Sequence, residues 1–459
     1  MKRITGTSVY TYPKCARAVA LDFHGDPKKK RKPTEVEEFV LRRGRDLEDE
    51  LTEGLGWETP SFPERDFDAG AAATLELLRA GAPGVLQGVL VEDDRLGILD
   101  LVRREEGASN FGDHHYVVGD VKSSAVGRGD QILQVMFYSR LLARLQGREP
   151  AYAYLVLRDG HEERFQCADY ADVIDDVEQN VAALRSGDQS ERPFLSRACG
   201  GCRWSDVCLP ELSAAGDLSL LQGMTRGLRE TLESAGVADV EAARSITVEP
   251  LARRTKLEAT LLRRIKRAAL AQEEGAPLLE RRSSKPPEAE RVIVHMLADA
   301  FAERVHYFGA LIQGGDRDGE ILEAFPASRE SELPAFLELI EQVGGAMTLW
   351  HYGGALPRWY EETAWRLERS TKLEARFVDL ARRLRGAAVY PGPVFGLADH
   401  VRHGLARDPN RAGDAGGVGL WAEQPEPEAR LRAKGRVDLE DLAALVSGLL
   451  EGGGDAADA

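Results

Sequence analysis

This chain of 459 residues is poor in sulfur, has no excess of positive charge and contains no long apolar run. No stretch approaches the ~18 uninterrupted apolar residues of a membrane-spanning helix, so none is expected. The opening MKRITGTSVYTYPKC lacks the apolar centre of a secretory signal. Lys and Arg number 60 against 76 Asp and Glu, a net charge of −16, which excludes a uniformly basic nucleic-acid binder but leaves room for a local basic groove. The five cysteines are odd in number, and Cys199, Cys202 and Cys208 crowd one short segment, unlike a secreted disulfide framework. The expectation is a cytoplasmic protein whose thiols stay reduced and whose cysteine cluster binds metal. With 43% hydrophobic and 30% charged residues the chain is of ordinary globular composition. At roughly 100–200 residues per domain its length suggests two to four domains.

Two boundaries suggest themselves. One follows Cys208, near PELSAAGD; the other is the polar stretch EEGAPLLERRSSKPPEAE, with three prolines and no hydrophobic periodicity. These divide the chain into 1–212, a helical module at 213–275, a linker at 276–290 and a C-terminal domain at 291–459. The segment 211–275 carries ten basic and ten acidic residues, and its bases are grouped. The tail EGGGDAADA reads as frayed.

In the first segment Thr34 followed by Glu37 is a capping box opening a helix over 34–54. Apolar runs at 85–92 and 95–103, split by Glu92-Asp93-Asp94, predict a hairpin. HYVVGDVK at 115–122 predicts a third strand, 130–146 a helix, and AYAYLVL at 151–157 a fourth strand. Asp100 is expected to end the second strand, and Asp120 and Lys122 the third. Paired strands bring both carboxylates to one sheet edge, where, with the Val121 carbonyl, they suit Mg²⁺ or Mn²⁺. Lys122 shares the face of Asp120. Gln134 and Tyr138 share one face of the following helix.

This ordered set resembles the PD-(D/E)XK nucleases, and within them the RecB-like branch. The resemblance implies an α/β restriction-endonuclease-like core. It gives Asp100 the first acidic position, Asp120-Val121-Lys122 the D-x-K position and Gln134-x-x-x-Tyr138 a substrate-contacting position. Where relatives often carry a His on the first helix, this chain has Gly44 and then Glu48, a carboxylate able to serve as an outer metal ligand.

Cys199-x-x-Cys202 and Cys208, with Cys15 far upstream, place one cysteine before the nuclease core and three after it. This looks like the iron–sulfur staple of RecB-like nucleases, as in AddB and the CRISPR-associated RecB-like exonucleases. The resemblance implies a [4Fe–4S] cluster tying the two ends of the domain together; four thiolates also suit Zn²⁺. Cys167 stands apart and reads as a small buried apolar residue.

The phrase around Gly236-Val237 resembles helix–hairpin–helix modules that bind DNA backbone. The basic group that follows, including Arg253, Arg254, Lys256, Arg263 and Arg264, offers salt-sensitive phosphate contacts. The run Lys28 to Lys32 is a second basic candidate. In the last segment, strands at 291–297, 304–312 and 320–325, a helix at 330–342, a strand at 346–352, a helix from about 357 to 368 and a helical FVDLARRL follow in order. This order resembles the ribonuclease H-like exonuclease domain often fused to RecB-like nucleases. Of the four acids that family uses, His295, Leu297 and Leu356 or Pro357 stand at three positions and Asp441 at the last. A catalytically dead α/β domain is therefore expected.

The function so implied is a metal-dependent DNA nuclease acting as an exonuclease on single strands or DNA ends, in repair or defence, with DNA and a helicase-type protein as partners and no membrane. The alternative is a weak or inactive nucleic-acid-binding scaffold that works through a partner.

Overall fold

A computed structural model describes residues 2–189, 191–279, 290–299, 304–344, 347–367, 373, 375–413 and 417–450. The chain divides into two compact units, Met1–Pro193 with Ala198–Leu209, and Phe194–Arg197 with Pro210–Ala459. Both are mixtures of helix and sheet. Among the described residues no helix is long and apolar enough to cross a membrane. The linker at 276–290 and the tail fall largely outside the described residues.

The first unit is built on strands β1 (Ile4–Thr5), β2 (Gly84–Glu92), β3 (Arg95–Ser109), β4 (Gly112–Val121), β5 (Tyr152–Val156) and β6 (Glu162–Gln166). Its helices are α1 (Gly6–Thr11), α2 (Ala16–His24), α3 (Glu35–Thr52), α4 (Phe67–Arg79), α5 (Gly129–Gln146) and α6 (Ala171–Ser186). The sheet runs β1-β3-β4-β5-β6, with β2 also on β3. The expected hairpin is β2–β3, closed between Glu92 and Arg95, with Asp93 at φ +49 supplying the left-handed residue of a tight turn. Strands β4 and β5 pair in parallel, which requires a crossover, and α5 is that crossover. Its Val135, Phe137, Leu141 and Leu142 are fully buried in the same core as Leu99, Val102, Tyr116 and Val118 of the sheet. Each such burial stabilises by roughly 1.5–3 kcal/mol. Helix α5 ends on Gly147 at φ 64, a left-handed cap. Helix α3 opens as expected, with Thr34 and Glu37 forming both bonds of the capping box.

Strand β3 is longer than the hydrophobic pattern suggests. Asp100 does not end it; the strand continues through the charged run Arg103–Glu106 to Ser109. The charges stay in the strand because they are partnered across the sheet. Arg103 bonds Glu162 at 2.8 Å, and Glu105 accepts the Tyr152 hydroxyl at 2.6 Å. Helices α4 and α6 and strands β1 and β6 add to the expected order. Helix α4 is rich in Ala and Gly, and its Gly70, Ala71, Thr74 and Leu78 are buried.

Helix α7 (Ser205–Ala215) follows Cys199 and Cys202 and contains Cys208. The second unit then has α8 (Arg226–Ser234), α9 (Val240–Arg244), α10 (Val248–Thr255) and α11 (Ala259–Glu274). Its strands are β7 (Leu278–Leu279), β8 (Arg291–Asp299), β9 (Arg304–Gln313), β10 (Ile321–Ala324), β11 (Met347–His351), β12 (Ala375–Asp379) and β13 (Ala388–Val389). Its remaining helices are α12 (Glu332–Val343), α13 (Ala355–Arg366), α14 (Leu380–Ala387), α15 (Leu397–Leu405), α16 (Val418–Ala422) and α17 (Pro427–Leu445). The main sheet runs β10-β9-β8-β11-β12, the first three antiparallel and the last two parallel to β8. FVDLARRL corrects the expectation of a helix throughout: its first three residues lie in β12, and α14 starts at Leu380.

Residues 213–275, expected as a module of their own, fall within this second unit. Their apolar core includes Val389, β13 pairs with β7, and the Gln222 side chain accepts from the Tyr390 backbone at 3.0 Å. The helical segment thus completes its burial with residues far downstream.

Tyr138 is wedged between chain segments that leave no room for a side chain. A Cβ on Gly6 would overlap its ring, and one on Gly97 would stand 3.0 Å from it. Gly6→Ala is expected to lower the unfolding free energy by about 1–3 kcal/mol through overpacking. Urea denaturation of the two proteins measures this, and equal midpoints would refute it.

Candidate functional site

The first unit gathers acids from three elements. Glu48 lies on α3, Asp100 on β3 and Asp120 one residue before the end of β4. Asp120 is 2% exposed. Asp100 Oδ2 accepts the backbone N–H of Val121 at 2.9 Å, so the antiparallel β3–β4 register itself locks the first acid to the D-x-K segment. Lys122 Nζ ion-pairs with Asp120 Oδ2. That buried oxygen has no hydrogen bond of good geometry.

The electrostatics follow from burial of like charges. Asp100 is held well above the usual carboxylate range, first by desolvation and then by Asp120 and Glu48. Glu48 is also raised, chiefly by burial and against the hydrogen bond from Gln87. Burial pulls Lys122 down, but Asp120 and Asp100 outweigh it, and the net shift is upward. The ammonium is therefore kept charged beside the acids.

The structure brings Glu48, Asp100, Asp120, Val121 and Lys122 together. Gln134 and Tyr138 are bonded to each other, Gln134 Nε2 donating to the Tyr138 hydroxyl at 3.0 Å. Tyr138, expected to contact substrate, is 5% exposed and belongs to the core. Burial and the nearby Asp120 raise its pKa. The alternating pattern of α5 does not reveal this, because the tyrosine is admitted by Gly6 and Gly97 on other elements.

Sequence reasoning missed Gln87. Its amide donates to Glu48 Oε1 and, at 3.4 Å, to Asp100 Oδ1. The available signal was one amide inside the apolar run VLQGVLV. Among the described residues no group of three or more His, Cys, Asp or Glu stands at metal-holding spacing. Here the amide and the ammonium sit among the acids and hold them. The donors themselves are all hard oxygens, the type a divalent ion such as Mg²⁺ or Mn²⁺ prefers, with the buried Asp120 Oδ2 held by Lys122.

The cysteine segment is tied to the N-terminal helices by protein contacts. Arg31 N donates to Arg203 O at 2.9 Å, and Arg203 Nε returns a bond to Arg31 O at 2.7 Å. Trp204 Nε1 donates to Asp22 at 2.9 Å, and Lys30 ion-pairs with the same carboxylate. The Lys28–Lys32 run, expected as a basic patch, thus spends Lys30 and Arg31 on this clamp. Cys15 stands at the N-cap position of α2 without a side-chain cap bond, and Cys202 is raised first by burial and then by Cys15 and Cys199. Burial pushes the Cys208 thiol up to about 11, with Cys15 and Cys202 contributing. Among the described residues these cysteines do not form a group spaced to hold a metal. Cys167 stands apart, hydrogen-bonded to Ser139 at 3.3 Å.

In the second unit the basic group is largely engaged. Arg254 caps the Ala235 carbonyl, Arg263 pairs with Glu249 at 2.9 Å and Arg264 bonds Arg385 O at 2.8 Å. Arg253 and Lys256 are exposed. At the acid positions the charges are neutralised internally. Asp438 is held by His295 at 3.1 Å and by Lys434 at 2.7 Å. Asp441 takes Arg407 at 2.9 Å and both arms of Arg411 at 2.6 and 2.7 Å. Leu356 is buried in the core.

No family model and no curated protein matches this chain.

The Arg31 clamp has a pH signature. The double hydrogen bond from Arg31, at 2.8 and 2.6 Å, is the largest cause that lowers Glu37 to about 2. A depressed carboxyl stabilises fully above its unfolded value of about 4.3 and loses that contribution as pH falls through its folded value. Glu37→Gln should therefore be less stable than wild type at pH 7, with the gap closing between about pH 4 and pH 2. Denaturant titrations across this window check it; a gap independent of pH would contradict it.

Proposed function

We propose that the first unit is a metal-dependent nuclease of RecB-like PD-(D/E)XK type that hydrolyses phosphodiester bonds in DNA, acting on single strands or free ends. The observation that carries this reading is that Glu48 on α3, Asp100 within β3 and Asp120 near the end of β4 act on one another, with the Lys122 ammonium beside them. A divalent ion held by Asp100 and Asp120, with Glu48 outside them and the Val121 carbonyl adjacent, would polarise the phosphate and acidify a water. Lys122 supplies a fixed positive charge for the charge that builds on the phosphate oxygens. Gln134, half-buried and bonded to Tyr138, orients the nucleotide from the neighbouring helix. Arg253 and Lys256 supply further phosphate contacts, and a helicase-type partner would deliver the DNA end.

Cys15, Cys199, Cys202 and Cys208 would hold a [4Fe–4S] cluster whose binding free energy adds to the clamp between the N-terminal helices and the cysteine segment. The second unit is read as a ribonuclease H-like domain that has lost its catalysis. Its strand order and the internal neutralisation of Asp438 and Asp441 support that reading. Those same neutralised acids favour the alternative of a binding scaffold for the protein as a whole.

Digestion of end-labelled single-stranded DNA with Mn²⁺ separates the two. Wild type is expected to degrade it, and Lys122→Ala to be slower by about 100-fold or more. Salt-dependent binding without cleavage by any divalent ion would favour the scaffold. For the cysteines, anaerobically purified protein is expected to be brown, with about four iron atoms per chain. Cys208→Ser should lose iron, and Cys167→Ser should keep it. Stoichiometric zinc in place of iron would replace the cluster with a zinc staple.

A further inference from the structure

We propose that Gln87 is a positioning residue of the carboxylate site, its amide setting the spacing of Glu48 and Asp100 at which a divalent cation binds. The inference rests on the metal-site reading above and adds to it a residue that lies outside the acid, D-x-K and Q-x-x-x-Y set.

The backbone gives the first indication. Strand β2 pairs with β3 from Gly84↔Arg103 to Leu86↔Leu101 and resumes at Gly88↔Leu99 in the same register. Only Gln87, opposite Asp100, drops out. No residue has been inserted, so this is not a bulge. Instead Gln87 adopts φ +50, the left-handed region that side-chain-bearing residues avoid. Gly88 stands next to it and would adopt that conformation without cost, yet the distortion is on the glutamine. Such a conformation persists only where the surroundings impose it.

The side chain shows what imposes it. Gln87 Nε2 donates to Glu48 on α3 and to Asp100 on β3. Both donors of one amide thus go to acids from two different elements. The Leu86 N–H, bonded to Glu58 O at 2.8 Å, pins the strand just before it. An amide can space two carboxylates but cannot neutralise them. The contrast lies in the second unit, where Lys434 and His295 meet Asp438 with groups able to carry positive charge. At Gln87 two acids are spaced by a neutral group, and the Lys122 ammonium nearby offsets only part of their charge, which leaves room for a cation. Partners of this kind that orient metal-ligating carboxylates commonly govern metal affinity by 10–100-fold.

The test is Mn²⁺ binding by the full chain, followed by titration calorimetry, together with thermal unfolding. Gln87→Gly relieves the left-handed backbone and removes the amide. It is expected to be at least as heat-stable as wild type and to bind Mn²⁺ about 10-fold more weakly. Gln87→Asn also tolerates a positive φ but is one methylene too short to span both acids. It is expected to lose affinity with its stability kept, and it serves if the glycine variant does not fold. Wild-type Mn²⁺ affinity in either folded variant overturns the inference, as does a wild type that binds no Mn²⁺. If wild type binds Mn²⁺, the variants bind it more weakly and no protein cleaves DNA, the positioning role stands and the nuclease reading falls.

Discussion

The constraint on which the first unit depends is the burial of like charges against its sheet. Glu48, Asp100 and Asp120 come from a helix and two strands, and each raises the cost of ionising another. A fold bears such a cost only if its scaffold is rigid enough to prevent the acids from separating. Here the scaffold is the β2–β3–β4 pairing, the crossover helix α5 and the Val121 N–H that fastens Asp100. Lys122 returns part of the cost through Asp120. The rest remains as a local deficit of positive charge, and the chemistry proposed for the site grows out of that deficit.

A second constraint acts on the ends of the same unit. The N-terminal helices and the cysteine segment are far apart in sequence, so joining them costs chain entropy. Arg31 with Arg203 and Asp22 with Trp204 hold that junction by hydrogen bonds. The cysteines lie around these contacts rather than replacing them. Within the basic run at 28–32, Lys30 and Arg31 belong to this clamp, while Lys28, Lys29 and Lys32 are exposed.

The second unit treats its buried acids in the opposite way. Asp438 and Asp441 are each matched by cationic side chains of the chain itself. The helical segment before the main sheet completes its core with Val389, which makes it part of this unit's packing.

Much of this was legible in local pattern. The capping box at Thr34, the hairpin around Asp93, the β4–α5–β5 succession and most strands of the second sheet follow from periodicity and turn chemistry, which act between near neighbours. The residues Asp100, Asp120 and Lys122 were legible as a set because their order along the chain places them on adjacent elements. What tertiary structure alone decided depends on contacts between distant residues. It carried β3 beyond Asp100 by partnering Arg103 with Glu162, and it placed Tyr138 in the core against Gly6 and Gly97. It also turned Gln87 toward two acids and spent Arg254 and Arg264 on carbonyls. The sequence by itself determined the elements and the chemical types available to each site. Only the tertiary structure decided which charges were left without a partner, because partnership is settled by distance in space and not by spacing along the chain.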